Sequence, residues 1–340
     1  MTYEEVRKAA KENLDPTKCS VCPVCNGIAC RGRFPGPAAR GSASAFTRNL
    51  EALEKIKLNI DTLYEAGTPD TTFDFFGRKL SLPVMCGPIG GVKASFGAYY
   101  EDDETYTMDL LKGCLDAGTL AFTGDAPVPT VFTAPMKAVK TWGNGIPTFK
   151  PRNLEDAKWR VAMAEENGAV AIAMDIDCLG LPPLRNLNPP VKAQTVEELA
   201  AMIALTDKPV IIKGILNPKT ARKAVEAGAK GIVVSTHSGR VIDQLPAAAE
   251  VLPAIKAEVG DEVMVLADGG VRSGIDVFKY LALGADAVLI GRPYVQAVYG
   301  GGPEGAKVYT DFIRGDLVNA MYMTGAMTLD QITSDMVLVP

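Results

Sequence analysis

The sequence predicts an α/β protein built on a (β/α)8 (TIM) barrel with a cysteine-rich N-terminal extension, and three observations carry that expectation. Four times a helical stretch ends in a small-residue turn and runs into a short β-branched segment: AGTLAFTG (117–124), NGAVAIAM (167–174), AGAKGIVVS (227–235) and LGADAVLIG (283–291). A glycine that closes a helix supplies the left-handed cap, and the unbroken apolar run after it suits a strand buried on both faces, as in a parallel sheet. Three further apolar runs, LPVMCGPI (82–89), PVIIKGI (209–215) and VMVLADGG (263–270), end in turns bearing glycine or proline. The chain's 340 residues exceed the ~250 typical of one such barrel, which leaves length for an extension.

Taken in order, residues 1–75 stand outside the alternation and form the extension, and residues 76–340 form the barrel. The extension holds four cysteines, then a loop-like stretch RGRFPGPAARGSASAF (31–46), then a segment containing a helix, AFTRNLEALEKIKLNID (45–61). Strand one is 82–89. The helices over 103–117 and 153–167 open with acidic residues, which suit the positive end of a helix dipole. Strand three is placed at NGIPTFK (144–150), the least regular of the eight. The helix over 195–205 opens with Thr195 and Glu198 in capping-box spacing. Helices over 218–228, 246–259 and 274–283 complete the alternation, and 306–326 closes it. A doubly wound Rossmann-type sheet is the competing architecture. It is disfavoured because no G-x-G-x-x-G follows the first strand.

Composition narrows the function classes. A net charge of −5 argues against a nucleic-acid partner, which requires a basic face. No apolar stretch approaches the ~20 residues of a membrane-spanning helix. The charged start, MTYEEVRKAAKENLDPTKC, lacks the apolar core of a signal peptide, so a cytoplasmic protein is expected. In that reducing setting the seven cysteines read as thiols or metal ligands rather than as a disulfide framework.

In barrels of this type the site lies at the C-terminal ends of the strands. Those ends are rich in polar groups: Asp175 and Asp177 after strand four, Lys213 on strand five, and Ser235, Thr236 and His237 after strand six, with Arg240 one turn on. Asp268, Gly269, Gly270 and Arg272 follow strand seven, and Gly291 and Arg292 follow strand eight. Glycines there let backbone N–H groups approach an anion and the two arginines add charge, so strands seven and eight predict a phosphate site. His237 is the only histidine in the chain. A lone histidine is ordinarily surface or packing material, but its place at a strand end, three residues before Arg240, marks it as a proton acceptor.

The segment STHSGR (235–240), followed by DGGVR (268–272) and GRP (291–293), resembles the FMN-dependent α-hydroxy-acid dehydrogenase/oxidase family, which includes glycolate and lactate oxidases. The resemblance is strongest over the last 130 residues, traceable from about residue 45, and absent over the first 40. It implies an enzyme that binds FMN and oxidises a 2-hydroxy acid or a related small anion, its electron acceptor left open, in a tetramer or larger assembly. It further implies that Gly87 and Pro88 lie beside the isoalloxazine, that Lys213 stabilises negative charge on the reduced ring, and that Ser235 contacts the flavin. Asp268, Gly269, Gly270, Arg272, Gly291 and Arg292 would hold the ribityl phosphate. His237 would be the base, Asp177 its orienting partner and Arg240 the carboxylate clamp. Four departures touch the substrate pocket, one being that the tyrosine which family members bring from the N-terminus has no counterpart here. The family's Gln-x-Tyr region is TFKPRN, which offers Lys150 and Arg152. The threonine of strand four is Asp175. The second substrate arginine has only Arg185 as a distant counterpart. Lys150 and Asp175 are assigned to the cofactor side of the site. Two other readings stay open: an FMN-dependent isomerase or maturase without net oxidation, and a redox-sensing flavin or metal module.

Cys19-x2-Cys22-x2-Cys25-x4-Cys30 places four thiols within twelve residues. The first three have the spacing of bacterial iron–sulfur ligands, although such runs normally finish differently. Structural zinc more often takes two separated Cys-x2-Cys knuckles. Iron–sulfur, zinc, and plain thiols or a redox disulfide are the three readings, with iron–sulfur placed first. Cys86, Cys114 and Cys178 read as core residues.

Overall fold

The computed structural model describes residues 1–33 and 38–339. Of the loop expected over 31–46, residues 34–37 lie outside the described residues. The barrel strands are β1 (Val84–Ile89), β2 (Ala121–Thr123), β3 (Gly145–Phe149), β4 (Ile172–Asp175), β5 (Val210–Ile215), β6 (Gly231–Val234), β7 (Met264–Asp268) and β8 (Ala287–Ile290). Each pairs in parallel with its neighbours and β8 pairs with β1, which closes the barrel. The architecture is the expected (β/α)8 barrel, including the irregular third strand.

The helices between strands start and stop where local chemistry dictates. Asp102, Asn153 and Asn217 each accept a backbone N–H from the third residue beyond them, and Thr195 and Ser273 form full capping boxes. At the other end Gly118, Gly168, Gly228 and Gly284 take positive φ, the left-handed turn that ends the helix and feeds the next strand. Within the strands successive side chains part to two layers. Met85, Phe122, Ile146, Ala173, Ile211, Val233, Leu266 and Leu289 fill the barrel interior, while Cys86, Ile172, Met174, Ile212, Ile232 and Val265 pack outward under the helices. The hairpin Phe73–Phe75/Arg78–Leu80 sends Phe75 and Leu80 into the floor of the interior cluster. The floor is thereby plugged and the opposite rim left open.

The extension differs from a separately packed unit. Helix α1 (Tyr3–Asn13) buries Val6 and Ala10 in the same core as the barrel helices. The approach is close: a Cβ on Gly300 would fall 2.1 Å from the Val6 carbonyl oxygen. Helix α2 (Ser44–Lys55) lies within the expected 45–61 segment apart from its first residue. The closing helix begins earlier than expected, spanning Arg292–Thr324 with a break at Gly301 and Gly302 before Pro303. It emerges directly from β8, and the two glycines bend it around the barrel. Even this long helix is not apolar enough to cross a membrane, and no other helix among the described residues is.

Candidate active site

The open rim contains a cavity of about 450 Å³, within the ordinary range for a small-molecule site. Gly87, Pro88, Lys150, Asp175, Lys213, His237, Arg240, Asp268, Gly269, Gly270, Arg272, Gly291 and Arg292 all line it. Strand ends far apart in sequence therefore converge on one space. Asp177 and Ser235 stand one layer behind, Ser235 fully buried. The Ser235 Oγ accepts from the His237 N–H at 3.0 Å and from Lys213 Nζ at 3.1 Å, so the serine positions two lining residues rather than lining the cavity itself.

His237 and Ser238 both have positive φ, 49° and 54°. Two consecutive non-glycine residues in that region store backbone strain, which persists only where the surroundings over-determine it. Here the surroundings are specific. His237 Nδ1 lies 3.1 Å from Asp177 Oδ1, 3.9 Å from Asp175 Oδ1 and 3.8 Å from Cys178 Sγ. Burial pushes the Cys178 thiol well up, so it packs against the ring as a neutral group. Among the described residues Asp175, Cys178 and His237 are the one trio of His, Cys, Asp or Glu whose donor atoms fall within 4.8 Å of one another.

Asp177 reaches the ring because β5 is irregular. The register with β6 shifts between Lys213 and Ile215. Between them Gly214 has φ +100°, and a Cβ there would lie 2.6 Å from Asp177 Cβ and Cγ. Gly214→Ala is therefore expected to push Asp177 off His237 and lower kcat by about 10–100-fold, as small misplacements do. Flavin content and KM should change little; an unaltered kcat in steady-state assays would show that the close approach has no catalytic consequence.

The middle of the cavity is a buried charge array. Lys213 Nζ sits 3.3 Å from Asp175 Oδ1 and 3.6 Å from Asp268 Oδ2, and Lys150 Nζ sits 3.9 Å from Asp175 Oδ2. Burial disfavours the charges of Lys213, Lys150 and Asp175, but attraction from their neighbours wins. Lys213 is raised by Asp175, Asp268 and Asp177, Lys150 is raised by Cys178 and then by Asp125, Asp175 and Asp177, and Asp175 is lowered by Lys213, His237 and Lys150. Both lysines thus stay cationic across the working pH range. Arg152, in contrast, does not reach the cavity and lies 3.8 Å from Asp156. Arg185 is exposed and does not line the cavity either, so it is no substitute for a second substrate arginine.

At the other end three cations gather. Burial, with repulsion from Arg272 and Arg240, pushes Arg292 down to about 10 despite the nearby cysteines, and burial also lowers Arg240. Gly269 and Gly270, at φ +106° and +80°, leave no room for side chains: their Cβ atoms would fall 2.6 Å from Asn49 Oδ1 and 2.5 Å from the Asn49 carbonyl oxygen.

The sequence reading missed four contributors. Arg40, Phe46 and Asn49 line the cavity from the extension. Phe46 lies under both guanidinium groups, 4.3 Å from Arg292 and 5.8 Å from Arg272. Asn49 Nδ2 donates to Thr236 Oγ1 at 3.0 Å and its Oδ1 accepts from the Ala248 N–H at 3.0 Å, tying the extension to β6. Asp125, after β2, accepts the Lys150 N–H on Oδ2 at 3.2 Å, and its carbonyl accepts from Lys150 Nζ at 2.6 Å. An acid just past a second strand was the available signal for Asp125. Nothing in the sequence distinguished the other three.

Known proteins share this sequence pattern and fold. The sequence matches the family described as FMN-dependent dehydrogenase over residues 37–182 and 90–339. The L-lactate dehydrogenase of Ectopseudomonas mendocina (strain ymp) is 30% identical, covering 86% of this chain and 90% of that one. The peroxisomal (S)-2-hydroxyacid oxidase GLO3 of Arabidopsis thaliana is also 30% identical, covering 84% of this chain and 85% of its own. Among solved structures, a mandelate oxidase mutant with the C4a-OH-FMN adduct superposes with a TM-score of 0.79 at 28% identity and covers 97% of both chains. Mandelate oxidase with (S)-2-phenylpropionate gives 0.78 at 28% identity over 98% of this chain and 97% of the other.

Proposed function

Because this chain belongs to the FMN-dependent dehydrogenase family, we propose that it oxidises a small 2-hydroxy acid at the open rim of the barrel, with His237 as the base. The observation that carries the reading is the 3.1 Å pairing of His237 Nδ1 with Asp177 Oδ1 on the wall of a cavity that also presents Arg240 and Lys213.

The residues fit FMN. A phosphate dianion suits the corner made by Arg272, Arg292 and the backbone of Gly269 and Gly270, where burial and cation–cation repulsion lower Arg292. Asp268 Oδ1 is a buried acceptor with no hydrogen-bond partner, a place for a sugar hydroxyl. Lys213, held cationic, suits a ring edge that gains negative charge. Bound there, FMN supplies the acceptor for the two electrons and the hydrogen that leave the substrate carbon.

The chain's own residues supply binding and proton transfer. Asp177 accepts from Nδ1–H and so selects the tautomer whose Nε2 lone pair is left for the substrate hydroxyl proton. After transfer, Asp177 and Asp175 stabilise the imidazolium. Arg240 binds the substrate carboxylate, bidentately where the fork allows. Lys150, in the place of the family's glutamine, adds a second fixed cation close to Asp175 on the cofactor side of the site. Val128, Val131, Leu181 and Leu184 form apolar walls that exclude water around it.

Anaerobic mixing of the flavin-loaded protein with a panel of 2-hydroxy acids tests the proposal. Bleaching of the flavin visible band by at least one short-chain member is the expected result. Absence of bleaching across glycolate, lactate, mandelate and longer or dicarboxylic members would remove 2-hydroxy-acid oxidation as the function.

A further inference from the structure

The four cysteines of the extension take no part in the chemistry above, yet their surroundings are built. Residues 15–33 form no helix or strand and are shaped by short turns, such as Cys19 N–H to the Asp15 carbonyl and Arg33 N–H to the Cys30 carbonyl. Val21, a β-branched residue, is held at φ 45°, a conformation such residues adopt only under constraint. Gly27 turns at φ +81°, where a Cβ would fall 2.4 Å from the Phe46 ring. Arginines grip the segment by its carbonyls: Arg7 Nη2 donates to Cys22 O at 2.7 Å, Arg33 Nη1 to Pro16 O at 2.8 Å, and Arg272 Nη2 to Cys25 O at 2.7 Å. All four cysteines are unpaired and half-buried, so none is lost in the core and none is fully solvated. Gln296 Nε2 donates to Cys19 Sγ at 3.6 Å, the kind of hydrogen bond that tunes cluster sulfurs.

We propose that Cys19, Cys22, Cys25 and Cys30 hold a four-iron, four-sulfide cluster against the cationic corner of the cavity. The spacing of the sulfurs separates this from zinc. One zinc ion draws each thiolate to about 2.3 Å in a tetrahedron, so its sulfurs stand less than about 4 Å apart. Among the described residues no three of these cysteine sulfurs lie within 4.8 Å of one another. A cubane spreads its thiolates over four irons and spaces them more widely. Cys-x2-Cys-x2-Cys is also the spacing that iron–sulfur sites use. Charge agrees: an oxidised cubane with four thiolates carries about −2, and Arg7, Arg33 and Arg272 bond to the segment while Arg292 lies within electrostatic reach of Cys25 and Cys30. The four thiols release their protons as the cluster binds. The inference does not depend on the oxidation proposed above.

Protein purified without oxygen from iron-replete cells is expected to contain about four iron and four acid-labile sulfide per chain, and to give an electron paramagnetic resonance signal on dithionite reduction. Cys22→Ser/Cys25→Ser is expected to lose iron, sulfide and the signal while keeping the wild-type flavin content. One zinc per chain without iron, no metal at all, or iron unchanged in the double variant would each overturn the proposal. Should the double variant fail to fold, anaerobic titration of metal-stripped wild type with ferrous iron and sulfide decides: saturation near four irons supports the cluster, and no uptake refutes it. Absence of flavin from the preparation would count against the FMN site, whereas the iron and sulfide analysis judges the cluster alone.

Discussion

Replacing His237 with alanine is expected to lower kcat/KM for the oxidised substrate by about 10²–10⁴-fold, the usual contribution of one positioned base, while the purified variant keeps its flavin. The separation follows from the layout of the rim. The groups suited to the phosphate come from β7 and β8, Lys213 comes from β5, and the ring hydrogen-bonds to Asp177 rather than to any of them. Alanine keeps a Cβ at a residue held at φ 49°, so the backbone strain stays in place and the substitution tests the ring alone. The ratio of flavin to protein absorbance, measured beside steady-state kinetics, checks both halves. A variant that loses flavin in proportion to activity would move His237 from proton transfer to cofactor binding.

The second large effect concerns stability. Arg160 is 0% exposed, with Nε 2.9 Å from Asp156 Oδ2 and Nη1 3.2 Å from Asp125 Oδ1. Its guanidinium also lies 4.8 Å from the Phe132 ring and 4.4 Å from that of Trp159. Arg160→Met keeps much of the volume but leaves two carboxylates without their cation. Breaking a buried pair from one side costs about 3–5 kcal/mol. With an unfolding entropy of about 2.1 cal/mol/K per residue, that corresponds to a Tm lowered by about 4–7 °C for a chain of this length. Because Asp125 also holds Lys150 by two hydrogen bonds, KM should rise in the same variant. Calorimetric melting gives the first number and steady-state assays the second. A Tm within 1 °C of wild type, roughly the width of a neutral surface change, would mean that the network contributes little.

Arg160 also marks where legibility in the sequence stopped. It lies in the helix Leu154–Glu166, among the charged residues of EDAKWR, where an arginine ordinarily meets water. What buries it is the approach of Asp125 from the previous βα loop, a contact between residues 35 apart. Asn49 is a similar case: a polar residue in an amphipathic helix whose amide bonds Thr236, 187 residues on. The polar strand ends, in contrast, were visible one by one, because each follows a buried apolar run and so lies at the open rim. Eight such polar residues, with five glycine and proline neighbours, share one cavity. Ser235 was found by position but not by role, since which neighbours its hydroxyl would reach depends on the bends at His237 and Gly214.

By itself the sequence determined the barrel, its strand order and the end of it that does chemistry, because those follow from local rules: unbroken apolar runs, helix caps and left-handed glycines. The tertiary structure decided which polar groups meet. It brought Asp177 to His237 through the bulge at Gly214 and folded the extension over the rim so that Phe46 and Asn49 complete the site. Such distances are sums over many small rotations and packing contacts between segments far apart in the chain, and no local pattern encodes them.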